Sequence, residues 1–319
     1  MFDIFVVVCK DDFPLLKVLG RSINKFCNKF PLNQIVIVSN NQNNNMSDAI
    51  NSMRLYFGSF NERISIHDFS EIYDGPWVNG YNVQQILKLY AYKLCHSENI
   101  MILDAKNFFI NPVRLEEVMN SEGKLRAVYD IAPEFWLENK IFTHKLFELP
   151  PNSQQIMLRT PFFIKRQTLI ECVDYIKENF NLLPQDIIGY DAPNKTNEFM
   201  LIQSFILKKY SDFKEYFFFT DDTPQQGNYC TGIWPVDVEH WEDFHWTYIP
   251  HTEVKIRKSL MQAAFLDWVG GIFCSSVHYR SIRIMSEELL SELKNFWIEL
   301  ELCYGDEATK IINDVKNHV

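Results

Sequence analysis

Between Tyr81 and Pro112 the chain reads YNVQQILKLYAYKLCHSENIMILDAKNFFINP, and this stretch restricts the fold more than any other. Asn82 to Leu94 sets a polar edge among apolar residues, which predicts a helix. Asn99 to Leu103 is a short apolar run of the kind that forms a strand covered on both faces. Asp104, Ala105 and Lys106 follow where that strand ends, and Asn111-Pro112 stops the segment. In an open α/β sheet, the carboxyl end of a buried strand is where ligands bind, so an acidic residue placed there is a site candidate.

The flanking sequence supplies the rest of such a sheet. Phe2 to Cys9 is a continuous apolar run, Pro14 to about Cys27 reads as a helix capped by Asp11 or Asp12, and Gln34 to Ser39 is a second buried-strand run. Strand, helix and strand at this spacing predict a βαβ unit and a parallel sheet. Asn40 to Asn45 is polar and of low complexity, and reads as a surface loop of little functional weight. Met46 to Phe57 predicts a helix, Ile64 to Phe69 a strand, and Gly75-Pro76-Trp77 with Gly80 a turn leading into the central helix.

Beyond Pro112, Leu125 to Asp130 reads as a strand and Ile156 to Lys165, interrupted by Pro161, as an edge or bent strand. Gln167 to Asn179 and Thr196 to Tyr210 read as helices, the second capped by Thr196 or Asn197 with Glu198 in its first turn. Tyr216 to Phe219 is a short strand. Asp221 to Pro250 is irregular and rich in Trp and His, Ser259 to Trp268 reads as a helix, and Glu287 to Tyr304 and Asp306 to Val319 read as two terminal helices. No flexible linker divides the chain. The expectation is one unit over 1–319, with a half at about 1–130, a second at about 131–285 and C-terminal helices at about 286–319.

Composition narrows the function classes. A net charge of −10 argues against a general nucleic-acid binder, which carries a basic surface. The 7 cysteines are dispersed, with no CxxC pair, as expected of reduced thiols in a cytoplasmic protein rather than a structural zinc site. The apolar start lacks a basic n-region and a small-residue cleavage site, so it reads as a strand and not a signal peptide, and no apolar run is long enough to span a bilayer. No P-loop, GxSxG elbow or GxGxxG fingerprint is present.

Trp77, Gln84-Gln85, Lys88-Leu89, Ile102-Leu103-Asp104-Ala105, the following aromatics and Pro112 together resemble the centre of GT-A glycosyltransferases, and more narrowly bacterial and phage sugar transferases associated with surface polysaccharides. The resemblance implies a GT-A, Rossmann-like α/β fold: a central, mostly parallel sheet flanked by helices, with C-terminal helices. It implies transfer of a sugar from a nucleotide-sugar donor to a polysaccharide or glycolipid acceptor.

In that family a strand ends in Asp-x-Asp, whose carboxylates hold a divalent metal on the donor diphosphate. Here the third position is Lys106. An ammonium repels a cation and pairs with phosphate, so the expectation is that no metal is required and that Lys106 stabilises the leaving group. The alternative is Mn²⁺ or Mg²⁺ held by Asp104 and His278.

The resemblance further implies that Lys10, Asp11 and Asp12 meet the nucleoside, that Gln84, Gln85 and Lys88 line the donor pocket, and that His278 and Arg280 contact phosphate. Glu198 is the candidate general base for the acceptor hydroxyl, with Asp191 and Asp130 as weaker alternatives. Trp234, Trp241, Trp246 and Tyr248 form either an acceptor platform or a packed lid. Two other classes compete: a catalytically inactive GT-A-like protein that binds a nucleotide-sugar or glycan, and a nucleotidyltransferase. The second is disfavoured because the loop after the first strand, KDDFPLLK, has no glycine.

Overall fold

The structure is a computed structural model that describes residues 1–9, 12–13, 16–41, 47–77, 79–109, 112–127, 136–151, 153, 156, 160–189, 194–219 and 274–276. Lys10, Asp11, Asp130, Asp191, His278, Arg280, the 221–250 segment with its tryptophans, and the helices expected at 259–268, 287–304 and 306–319 lie outside the described residues.

The expected sheet is present. Its strands are β1 (Phe2–Val8), β2 (Leu32–Ser39), β3 (Ile64–Asp68), β4 (Asn99–Asp104) and β7 (Phe162–Lys165), in the order β3-β2-β1-β4-β7. Among the described residues of the first 219 there are also three short strands: β5 (Asn107–Phe109), β6 (Leu125–Arg126) and β8 (Phe217–Phe218). β9 (Cys274–Ser276) pairs antiparallel with β5. β1 runs parallel to both neighbours, with Val7 opposite Val38 on one side and opposite Asp104 on the other. Every residue of β1 and β4 is buried, which is why both read as unbroken apolar runs rather than alternating ones. β7 is the antiparallel edge, with Ile102 opposite Phe162, and it follows a cis Thr160–Pro161 bond.

The helices are α1 (Leu16–Phe26), α2 (Ser47–Met53), α3 (Gly80–Leu89), α4 (Leu115–Val118), α5 (Leu137–Leu146), α6 (Arg166–Phe180), α7 (Pro184–Ile187) and α8 (Glu198–Tyr210). The sequence reading did not expect α4, α5 or α7, and two of the expected helices differ in form. The helix expected over 46–57 becomes 3-10 from Arg54, and Gly58 at φ +52 kinks the continuation. The central helix is α-helical only to Leu89, and Tyr90–Lys93 tightens into a 3-10 turn. Gly20 on α1 is where Phe57 seats: a Cβ there would lie 2.8 Å from the ring.

One buried carboxylate fastens the amino ends of three strands. Asp3 of β1 accepts from Asn33 Nδ2 (2.9 Å) and Gln34 Nε2 (3.1 Å) of β2, and from His96 N (2.6 Å), Ser97 N (2.8 Å) and Ser97 Oγ (2.7 Å) just before β4. Burial alone would raise its pKa; the bonds from Ser97, Asn33 and His96 outweigh it and hold the carboxyl below its ordinary value.

Asp3→Ala removes the acceptor of five hydrogen bonds, of whose donors Gln34 Nε2 keeps a second acceptor in Leu94 O, and is expected to destabilise the fold by about 3 kcal/mol, read as a lowered urea midpoint at pH 7. Because the folded pKa is depressed, this stabilisation is present above the unfolded value of about 3.9 and fades as pH falls through the folded one. The gap between wild type and Asp3→Ala should therefore narrow in acid.

Candidate active site

The chain leaves β1 for β2 on one side, continues outward to β3, and returns to β4 on the other side of β1. The carboxyl ends of β1 and β4 thus flank the point where the strand order reverses, the place where open α/β sheets bind ligands. Asp104 is the last residue of β4. Its backbone N–H donates to Asn107 Oδ1 at 2.7 Å, which turns the chain directly into β5.

α3 delivers two side chains to this carboxylate. Asn79 caps the helix by accepting from Asn82 N at 2.8 Å. Gln84 and Lys88 then stand one turn apart on one face. Gln84 Nε2 donates to Asp104 Oδ1 at 3.0 Å, and Lys88 Nζ lies 2.8 Å from the same oxygen. On the other oxygen, Lys106 Nζ is 3.2 Å from Oδ2 and Thr160 Oγ1 donates to Oδ2 at 3.2 Å. Two ammonium groups and two neutral donors therefore occupy the roughly four lone-pair sites of one carboxylate. Burial alone would raise the Asp104 pKa; Lys106 and Lys88 outweigh it and hold the carboxyl far below the usual carboxylate range.

Lys88 is 4% exposed and joins a second carboxylate, with its Nζ donating to Glu198 Oε1 at 3.2 Å. Burial would lower its pKa, but Asp104 and Glu198 push it up to about 12. The Phe199 ring lies under the same ammonium, 5.2 Å from Nζ to the centroid.

Glu198 opens α8, and of the two expected caps it is Asn197 that serves, accepting from Met200 N at 2.8 Å. α5 braces this corner: Asn139 Nδ2 donates to Lys195 O at 2.9 Å, and the Thr143 and Thr196 hydroxyls share a hydrogen bond. Burial pushes the Glu198 carboxyl upward, and the adjacent Lys88 opposes that rise.

The structure thus brings Asp104, Lys106, Lys88, Gln84 and Glu198 into one connected cluster, and adds Thr160, which the sequence reading did not single out. Its place opposite Asp104 depends on β7 folding back beside β4, a pairing far apart in sequence. Asp12 follows β1 and donates its N–H to Cys9 O at 3.2 Å, ahead of α1.

Gln85, the next residue of α3, makes no such hydrogen bond. It is 2% exposed, and neither its Oε1 nor its Nε2 has a hydrogen-bond partner. Asn40, expected in a solvated loop, is instead 4% exposed: its Nδ2 donates to Gly80 O at 2.6 Å, and its Oδ1 has no partner. It sits directly after β2, at the same edge of the sheet as Asp104.

A divalent cation does not fit the Asp104 carboxylate as it stands. Both oxygens already carry an ammonium, and a metal would have to displace one of them. Among the described residues no group of three His, Cys, Asp or Glu side chains could hold a metal.

Residues 7–262 match DUF6492, a family of unknown function, and the chain belongs to that family. No curated protein matches it. Solved structures of similar shape include galactosyltransferase LgtC in complex with donor and acceptor sugar analogs, at 9% identity, covering 98% of this chain and 95% of that one, with a TM-score of 0.47. An active-site mutant of LgtC is similar at 8% identity, 94% and 95% coverage, and the same TM-score of 0.47. Identities this low transfer no residue role. Among the described residues no helix is long and apolar enough to cross a membrane.

Lys88→Met strands the buried Glu198 carboxylate and is expected to cost about 3–5 kcal/mol of stability at pH 7. Adding Glu198→Gln should recover part of that loss, and a double-mutant cycle in urea measures the coupling. The sign with pH follows from the raised Lys88 pKa. Its stabilisation is complete below the unfolded value of about 10.4 and is lost as pH rises through the folded value of about 12.

Proposed function

We propose that the protein is a GT-A-like glycosyltransferase that moves a sugar from a nucleotide-sugar donor to a polysaccharide or glycolipid acceptor without requiring a metal. The observation that carries this reading is the convergence of Lys88 and Lys106 on Asp104 at the strand-order reversal beside β1. A fixed pair of ammonium groups at a ligand-binding crevice suits an anionic leaving group. Stabilising developing negative charge with preorganised donors is the main work of such a site.

In the proposed reaction the bond between the anomeric carbon and the donor phosphate oxygen breaks. The electron pair stays on that oxygen, where Lys106 stabilises it. The acceptor hydroxyl oxygen bonds to the anomeric carbon and gives up its proton to a solvent water. Glu198 was expected to take this proton. Its hydrogen bond to Lys88 and its burial favour a positioning role instead, holding Lys88 against Asp104. Gln85 and Asn40 offer unpaired amide atoms for hydroxyl or base contacts on the donor. The cytoplasmic location expected from the cysteines is consistent with this reading.

The burial of Glu198 also favours a second reading, an inactive protein of the same fold that binds a nucleotide-sugar or a glycan. The two separate experimentally. UDP-, GDP-, CMP- and dTDP-sugars are each tested in EDTA and with Mn²⁺ for thermal stabilisation and for release of nucleotide. One class at a hundred times its dissociation constant should add about 2.7 kcal/mol in EDTA. Release of nucleotide in EDTA, slowed about 100-fold by Lys106→Gln, supports the transferase. Stabilisation without release supports the binding protein. Activity that disappears in EDTA and returns with Mn²⁺ refutes the metal-free mechanism.

A further inference from the structure

A lysine that leaves full solvent needs a partner for its charge, and the described lysines that are partly or fully buried show which partners this fold supplies. Lys88 and Lys106 contact Asp104, and Lys124 contacts Glu122. Lys195 donates to Asp186 O at 2.6 Å. Lys17 and Lys165 lie over the rings of Tyr56 and Tyr216. Lys140 of α5 is the exception. It is half-buried, and among the described residues it has no hydrogen bond, ion pair or ring contact.

Burial holds the Lys140 pKa below its ordinary value, and no carboxylate opposes the shift. The other titratable groups of α5 are Glu138, His144 and Lys145. On α8, which packs against α5, Glu198 is paired with Lys88, Lys208 with Glu148 and Lys209 with Glu171. Lys195, just ahead of α8, is bound to the Asp186 carbonyl.

A second idle group stands one helical turn away. His144 is 6% exposed, and its Nδ1 has no hydrogen-bond partner. Burial, and then the charge on Lys140, press its pKa down to about 4 against the pull of the Pro150 and Pro151 carbonyls, so the ring is neutral at pH 7. α5 thus carries an unpaired amine and an unprotonated imidazole one turn apart. Perturbed bases of this kind mark reactive sites.

We propose that Lys140 is a site of covalent acylation, its Nζ taking the acyl group of a small acyl phosphate. The free amine attacks the carbonyl carbon and forms the nitrogen–carbon bond. The bond from that carbon to the phosphate oxygen breaks, its electron pair leaves with the phosphate, and the proton lost by nitrogen goes to solvent water. Half-burial favours a small donor over a protein one. The product is a neutral amide on the helix that braces the corner before Glu198 through Asn139 and Thr143. The site exists whether or not the protein transfers sugar.

The test treats the full chain with limiting acetyl phosphate and follows each lysine by mass spectrometry. Only the free amine reacts, and each unit by which a pKa falls raises the free fraction about tenfold at a pH well below it. At about pH 7.5, Lys140 should acetylate at least about threefold faster than the exposed Lys145 and Lys177. Its lead should shrink toward parity by about pH 10, where ordinary lysines also give up protons, whereas a lead due to access alone would stay constant. In urea, with the chain unfolded, the lead should vanish.

Equal or slower labelling of Lys140 than of Lys145 at about pH 7.5 overturns the proposal. So does a lead that is unchanged at the higher pH or that persists in the unfolded chain. Lys140→Arg checks the assignment: the labelled peptide should disappear while the rate at Lys145 stays the same. No nucleotide or sugar enters the assay, so its outcome and that of the transferase test are independent.

Discussion

The Lys88 ammonium is the contact on which the site depends. A buried charge persists only when it is closely paired, and its pairing partners must then sit where the charge requires. Here the partners belong to different elements: Asp104 ends β4, and Glu198 begins α8. The lysine itself comes from α3, so one side chain fixes a helix, a strand end and a second helix in a common register. Nothing apolar could do this as specifically, because dispersion and hydrophobic contacts tolerate sliding where charge-assisted hydrogen bonds do not.

Two aspartates mark the two ends of the sheet and show how similar burial serves different purposes. Asp3 meets only neutral donors, all from the protein, and its neighbours are backbone amides, two side-chain amides and a hydroxyl. Such a knot has no charge to offer a ligand. Asp104 meets two cations as well as two neutral donors, so the same depressed pKa arises from Coulomb attraction rather than from hydrogen bonds alone. The first arrangement completes the amino edge of the sheet. The second stores positive charge at the carboxyl edge, masked by a single carboxylate.

The sheet was legible in the sequence because its strands are short apolar runs bounded by polar residues, and β1, β2 and β4 appear close to their expected limits. The site was legible in part. Asp104, Lys106, Lys88, Gln84 and Glu198 were all singled out, but in separate roles and not as one cluster. Apart from Lys106–Asp104, two positions apart, their mutual contacts join residues 16 to 110 positions apart, and no local pattern reports those.

Thr160 was invisible for the same reason. Asn40 was misread because it begins a run of asparagines and glutamine, and composition assigned the whole run to solvent although its first member continues the edge of β2. α5 was missed because its apolar residues do not gather on one face: Leu137 and Ile141 point outward, while Asn139, Thr143 and His144 are buried.

β7 is one side of a closed frame. At its start, Thr160 reaches Asp104 at the carboxyl end of β4. Just past its end, Arg166 donates its backbone N–H to Glu98 O and its Nε to Tyr92 O and Cys95 O, in the turn that follows α3. Lys88 closes the circuit from α3 back to Asp104. Strand, helix and connecting turn thus form a triangulated ring braced at every corner. In such a ring no single member can tilt without stretching another, so displacement is confined to the least constrained joint, a side-chain torsion. The scaffold around Asp104 is built to stay still.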